Sequence, residues 1–294
     1  MHDSLFAATA DAMLEDRPIG RELCFYNPPS NGSSPRYETD DPALKGTRNY
    51  SHCRVVTDIH NARGHEKDFK LSVHGFVLHQ GLDTSNIDFT SSKAIKELYL
   101  PLTKETIATY IPHLVKIVPF DITTRDASAQ GRINRPVRKV HIDQSRHGAY
   151  LRAEHELSGM PELLDDVMKS RVRYRIVNVW SPINRVVKDH PLVFADSRTI
   201  ADSDLLPVAQ IYPHYAGETL AVKYNVAQKF WYWKDMNTTE AIVFQIFDSE
   251  GELNDNGNLY SARCVHASFC LSECGEESMT RESIEVRCIV LTSK

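Results

Sequence analysis

Beyond Asp189 the chain is a succession of short β-branched and aromatic runs: PLVFAD, LLPVAQIY, TLAVKYNV, FWYWKDM, EAIVFQIFDS, ARCVHASFCL and SIEVRCIVL. Asp, Gly, Ser and Asn punctuate them at near-regular intervals. Such spacing predicts antiparallel strands closing into a sandwich or barrel. Further strands are expected at HCRVVTDI, at LSVHGFVLHQ from Leu71, at RPVRKVHIDQS from Arg135, and at RVRYRIVNVWSPI, which Pro182 stops. The period changes in two places. In SKAIKELYLPLTKETIATYIPHLVKIV apolar residues from Ile95 to Val115 recur at helical spacing, with Pro101 dividing two helices. AYLRAEHELSGMPELLDDVMKS predicts one or two more, with Pro161 in a first turn. The first 48 residues, rich in Pro, Ser, Gly and Asp, read as an irregular extension packed on the core.

At 294 residues the chain is long enough for one β-rich domain with extensions or for two domains. Its net charge of −5 argues against a nucleic-acid partner held by bulk charge. No apolar run approaches the ~18 residues of a membrane span. The N-terminal MHDSLFAATADAMLEDRP is acidic and broken, unlike a secretory signal, so a cytoplasmic protein with six reduced cysteines is expected. Cys270 and Cys274 have no second pair at zinc spacing. No GxxxxGK[ST], GxGxxG or GxSxG motif occurs.

The sharpest chemical pattern is His141-Ile142-Asp143. Residues two apart on a strand share a face, so imidazole and carboxylate project together. His266, inside an apolar strand, is the best third ligand, because a buried imidazole without a partner is costly. Two histidines and a carboxylate make the facial triad of non-haem Fe(II) oxygenases. Taken singly, each histidine reads more plainly as an ordinary strand residue. On the last strand Arg281, Ser283, Glu285 and Arg287 share one face, and Ile284, Val286 and Cys288 occupy the other. An Arg-x-Ser pair suits a terminal carboxylate, held by guanidinium and hydroxyl together.

The order VHIDQS, RYRIVNVWSPI, HPLVFADS, GETLAVKYN, QKFWYWKDM, IFDS, VHASF and RESIEVR resembles the AsaB-like hydroxylase/desaturase family of fungal natural-product pathways. That family is itself similar to a bacterial cephamycin methoxylase component. The resemblance covers about Ser51 to Lys294, and RESIEVR with NVWSPI is far more specific than HxD. It implies a double-stranded β-helix (jelly-roll, cupin-like) with flanking helices, residues 49–294 forming one oxygenase domain. It also implies an enzyme using Fe(II), 2-oxoglutarate and O2 to hydroxylate, desaturate or cyclise a small natural-product or amino-acid-derived substrate, with no nucleic-acid or membrane partner. His141, Asp143 and His266 are then the metal ligands, and Arg281 with Ser283 the 2-oxoglutarate clamp. Asn178 is a further candidate for 2-oxoglutarate, and Trp180, Gln144, Arg146 and Trp231 for substrate. The 15-residue gap from His266 to Arg281 is long for such enzymes. A tight turn in SECGEESMT would bring Arg287 to the clamp instead. A metal-binding accessory protein and a zinc hydrolase on the same three ligands are the alternatives.

Overall fold

The short strands pair into two facing sheets of a double-stranded β-helix. The computed structural model describes residues 17–40, 46–126, 135–213, 215–251, 263–271 and 280–294. In chain order the strands are β1 (Ile19–Asn27), β2 (Arg36–Glu38), β3 (Thr47–Arg48), β4 (Ser51–Asn61), β5 (Phe76–Gln80), β6 (Leu114–Asp126), β7 (His141–Ile142) and β8 (Arg173–Pro182). They continue as β9 (Leu192–Ala195), β10 (Leu205–Tyr212), β11 (Tyr215–Val222), β12 (Phe230–Tyr232), β13 (Glu240–Asp248), β14 (His266–Ser268) and β15 (Glu282–Thr292). The larger sheet runs β1-β4-β12-β9-β14-β7-β11-β10-β2-β3, and the smaller β5-β13-β8-β15-β6.

Alternation along β15 explains how the small sheet is seated. Ile284, Val286 and Cys288 are fully buried against Ile107, Ile111 and Tyr99 of the flanking helical run. Tyr99 also donates its hydroxyl to Ser181 Oγ at 2.9 Å. The other face of β15, bearing Ser283, Glu285 and Arg287, is therefore turned into the barrel. Facing it, His266 of the large sheet lies against Phe244 of the small one, ring centroids 4.9 Å apart.

Several local expectations are corrected. Residues 19–27, read as irregular, form β1, paired along its whole length with β4. Val140 N–H donates to the Cys24 carbonyl at 2.9 Å, bringing the sheet's first strand back beside the His141 segment. Leu71–His74 is a helical turn, because Gly75 takes a left-handed φ of 85° before β5 begins. A Cβ there would meet Ser197 Oγ at 2.5 Å. Pro101 does not divide two helices. The preceding turn, Ile95–Tyr99, widens to a π-helix and runs into α1 (Leu100–Tyr110). A widened turn accommodates a ring that clashes with the carbonyl four residues earlier. Leu114 and Val115 belong to β6, since Pro112 ends the helix and His113 turns the chain at φ 58°. The strand expected from Arg135 shortens to His141–Ile142, and Asp143 lies just past it.

The helices α2 (Arg146–Glu156) and α3 (Pro161–Met168) follow as expected, α2 capped by Ser145 Oγ accepting from Gly148 N–H. Cys24, Cys53, Cys264 and Cys288 carry free thiols. Cys274 and most of SECGEESMT lie outside the described residues. No helix among the described residues is long and apolar enough to cross a membrane.

Candidate metal centre

His141 and His266 stand opposite each other in the β7–β14 pairing, their ring centroids 4.4 Å apart. His141 Nδ1 is 2.7 Å from the Lys139 carbonyl and His266 Nδ1 is 3.1 Å from the Cys264 carbonyl. A carbonyl can only accept, so each Nδ1 is the donor and each Nε2 keeps its lone pair. Both lone pairs point to one carboxylate oxygen: Asp143 Oδ1 is 3.2 Å from His141 Nε2 and 3.9 Å from His266 Nε2. Among the described residues these three form the group whose ligand atoms converge, all within 4.8 Å of one another. Acceptors facing acceptors at such range suit a shared cation. Three ligands ~2.1 Å from one metal, at right angles, would lie about 3 Å apart.

The second carboxylate oxygen is already engaged. Asp143 Oδ2 accepts from Asn178 Nδ2 at 2.8 Å and from Arg287 Nε at 2.9 Å. Asp143 therefore offers one oxygen to a metal and anchors the other, the outer support that fixes a ligand's orientation. Burial pushes its carboxyl up, but Arg287 and then the two histidines outweigh this and hold it well below the usual carboxylate range. Burial, reinforced by His141, pushes His266 down to about 3, so it is neutral as a ligand must be.

Arg287 is saturated. Besides Asp143 it meets Asp121, Thr123 and Glu285, the last at 2.9 Å. Burial lowers its proton affinity, but the three carboxylates override this and raise it. Glu285 in turn accepts from Asn178 at 2.9 Å. Burial raises the Glu285 carboxyl, Arg287 opposes this, and Asp143 adds to the rise.

Arg281 differs. It is 1% exposed and donates through Nη1 to the His190 carbonyl (2.8 Å) and Ser268 Oγ (3.1 Å). Its Nε, and the Oγ of equally buried Ser283, have no partner among the described residues. Burial foremost, then Arg125, pulls the guanidinium down to about 9, against the pull of Asp189 and Glu285. A buried guanidinium N–H and a hydroxyl left without acceptors among the described residues suit an anion. Ser268 lies two residues beyond His266 on β14, so this pair begins about 7 Å along the strand from that histidine. That reach suits a dicarboxylate with one end on the metal.

The sheet order removes the hairpin that would have favoured Arg287. β14 and β15 belong to different sheets, and Arg281 meets Ser268 directly. The polar face of β15 accordingly lies opposite His266. Trp180 is fully buried, with its ring 5.6 Å from the Arg281 guanidinium carbon. Gln144 is buried with Oε1 unpartnered among the described residues, while exposed Arg146 stacks over Tyr150 at 5.7 Å. Trp231 sits two strands from β14, against His60 and Phe69, in the wall of a separate 450 Å³ cavity.

Two contributors escaped the sequence reading. Ser268 was legible in principle, as the residue two places along from His266. Asp189 gave no signal. It accepts from the backbone N–H groups of His190, Thr280 and Arg281 and so ties down the entry to β15. Burial pushes its carboxyl up, but the His190 side chain, then the Thr280 and His190 N–H groups, hold it far below its ordinary value.

Residues 23–291 match the family described as Oxidoreductase/YMDC permease-like domain. The chain belongs to this family. Its relatives include the hydroxylase/desaturase efuI of Hormonema carpetanum, 29% identical over 261 residues, covering 80% of this chain and 82% of that one. The Fe(II)/2-oxoglutarate-dependent dioxygenase nvfI of Aspergillus novofumigatus is 28% identical over 280 residues, covering 92% and 95%. Among solved structures, the iron and alpha-ketoglutarate-dependent endoperoxidase NvfI superposes with a TM-score of 0.77 at 25% identity, over 95% of this chain and 99% of the other. These relatives agree with the resemblance to fungal hydroxylase/desaturases read from the motifs.

Proposed function

We propose that His141, Asp143 and His266 hold Fe(II), and that Arg281 with Ser283 holds the distal carboxylate of 2-oxoglutarate. The protein is then an Fe(II)/2-oxoglutarate-dependent oxygenase of the hydroxylase/desaturase type, acting on a C–H bond of a small molecule. The observation that carries this reading is the convergence of two histidine lone pairs on Asp143 Oδ1, both Nδ1 atoms being committed to backbone carbonyls.

Bound iron with 2-oxoglutarate and O2 supplies oxidation of an unactivated C–H bond, 2-oxoglutarate leaving as succinate and CO2. The residues of the chain do the rest. The Lys139 and Cys264 carbonyls fix the histidine tautomers. Asn178 and Arg287 hold Asp143 to one ligating oxygen. Arg281 and Ser283 orient the co-substrate from its far end, and Trp180 keeps water from the guanidinium. Phe194, Phe244 and Phe76 form an apolar wall behind His266, with Phe76 and Phe194 rings 5.2 Å apart. Such a wall excludes water and strengthens every polar contact inside.

The test is His266→Ala. Iron content after anaerobic reconstitution should fall to background, and O2-dependent conversion of 2-oxoglutarate to succinate should vanish, while the circular dichroism of the fold persists. Retention of stoichiometric iron by this variant would contradict the ligand assignment.

A further inference from the structure

His141 has a second environment. It also forms part of the wall of a cavity of about 290 Å³, just below the ~300–1,000 Å³ range of small-molecule sites. Val140, Val208 and Ala221 give this cavity an apolar floor. Tyr37, Tyr50 and Tyr212 add aromatic sides, with Tyr37 and Tyr212 rings 6.1 Å apart. Two cations, Arg48 and Lys139, border it, and no Asp or Glu occurs among the described lining residues. His52, also in the wall, reports the same field. Burial first, then Lys139 and Arg48, push its imidazole down to about 4.

The N-terminal strands account for much of this wall. β2 carries Tyr37, β3 carries Arg48, and the start of β4 carries His52. Tyr37 pairs with Arg48 across β2 and β3, while β2 lies parallel to β10 and so brings both residues to the sheet edge near Tyr212. A segment that adds nothing to the metal ligands thus supplies Arg48, one of the two cations of the rim.

We infer that this cavity receives the substrate that is oxidised, a compact apolar molecule, ring-bearing to suit the tyrosines, with a single acid group directed at Arg48 and Lys139. The inference rests on the assignment of His141 as an iron ligand, which is what places the cavity next to the reacting centre. Apolar walls with a few polar groups fixing orientation are how such sites bind, and a guanidinium matches a carboxylate in geometry as well as charge.

The experiment compares 2-naphthoate with its methyl ester by calorimetry on the full chain. Wild type should bind the acid roughly tenfold more tightly than the ester, the value of a charge-assisted hydrogen bond. Arg48→Gln should abolish that preference while leaving ester binding unchanged, and Arg48→Lys should restore most of it. Equal binding of acid and ester, no binding of either, or an acid preference unaffected by Arg48→Gln overturns the inference. The metal assignment is read separately, from the visible charge-transfer band formed anaerobically with Fe(II) and 2-oxoglutarate. A band without acid preference overturns the cavity alone, and acid preference without a band overturns the metal centre and with it the placement of the cavity beside a reacting centre. When both are present, naphthoate should perturb the band, and a band indifferent to saturating naphthoate overturns the placement beside iron.

Discussion

Arg281 and Arg287 share one face of the last strand and both are enclosed, yet their surroundings are opposite. Arg287 meets three carboxylates, Asp143, Asp121 and Glu285, and has no charge left to offer. Arg281 meets a carbonyl and a hydroxyl, and its Nε and neighbouring Ser283 Oγ lack partners among the described residues. Six residues of strand, about 20 Å, separate them. The lesson is that residue type and face periodicity leave the roles undecided, and the count of local carboxylates decides them. A saturated arginine is scaffold that orients a ligand, whereas a buried arginine without a counter-ion is a binding site for one.

The contrast can be broken at its saturated end most violently. Arg287→Gln leaves Asp143 and Glu285 buried together without their cation, so stability should drop by roughly 3–5 kcal/mol, the usual cost of removing one partner of a buried pair. Chemical denaturation should show this, with iron affinity falling too because Asp143 loses its anchor. Unchanged stability would mean that the carboxylates find water and that Arg287 is not structural.

Asn178→Ala sharpens the same side. It removes the other donor to Asp143 Oδ2 and one to Glu285. Loss of an outer-shell partner of a metal ligand commonly costs ~10–100-fold in affinity. Competition with a metallochromic chelator should show a weakening of that order for Fe(II). The Kd for 2-oxoglutarate, measured at saturating metal, should stay put.

At the other end the smallest effect is expected from Ser283→Ala. One hydrogen bond to the co-substrate is worth ~1 kcal/mol, or about fivefold in the KM for 2-oxoglutarate. The variant should bind iron as wild type does. A shift in iron affinity instead of KM would place Ser283 with the metal scaffold.

Much of this was legible in the chain. HxD, the isolated histidine of VHASF and the two-faced RESIEVR strand each point at a function because strand periodicity is short-range. A residue's face follows from its neighbours in sequence. What stayed hidden depends on which strands meet. Nothing in VHASF or RESIEVR states that β14 and β15 lie in different sheets, and that one fact takes away the hairpin on which the alternative clamp, Arg287, depended. Asp189, 92 residues from Arg281, is equally invisible. A helix end was misplaced where single residues override the local pattern, as Pro112 and His113 do in starting β6 at Leu114, inside an apparently helical run that reaches Val115. Trp231 was attractive as a stacking residue because aromatic runs look alike, and only the sheet order sets it two strands from His266.

The central claim is that the orphaned arginine holds 2-oxoglutarate, and the direct measurement is its anaerobic titration into Fe(II)-loaded wild type, Arg281→Gln and Arg287→Gln, followed by the charge-transfer band. Losing a charge-assisted partner costs ~1.5–3 kcal/mol, so the midpoint for Arg281→Gln should rise roughly 10- to 150-fold. For Arg287→Gln the midpoint should hold, with the band's amplitude falling in step with iron content. An unshifted midpoint in Arg281→Gln, or the large shift appearing in Arg287→Gln instead, would contradict the account.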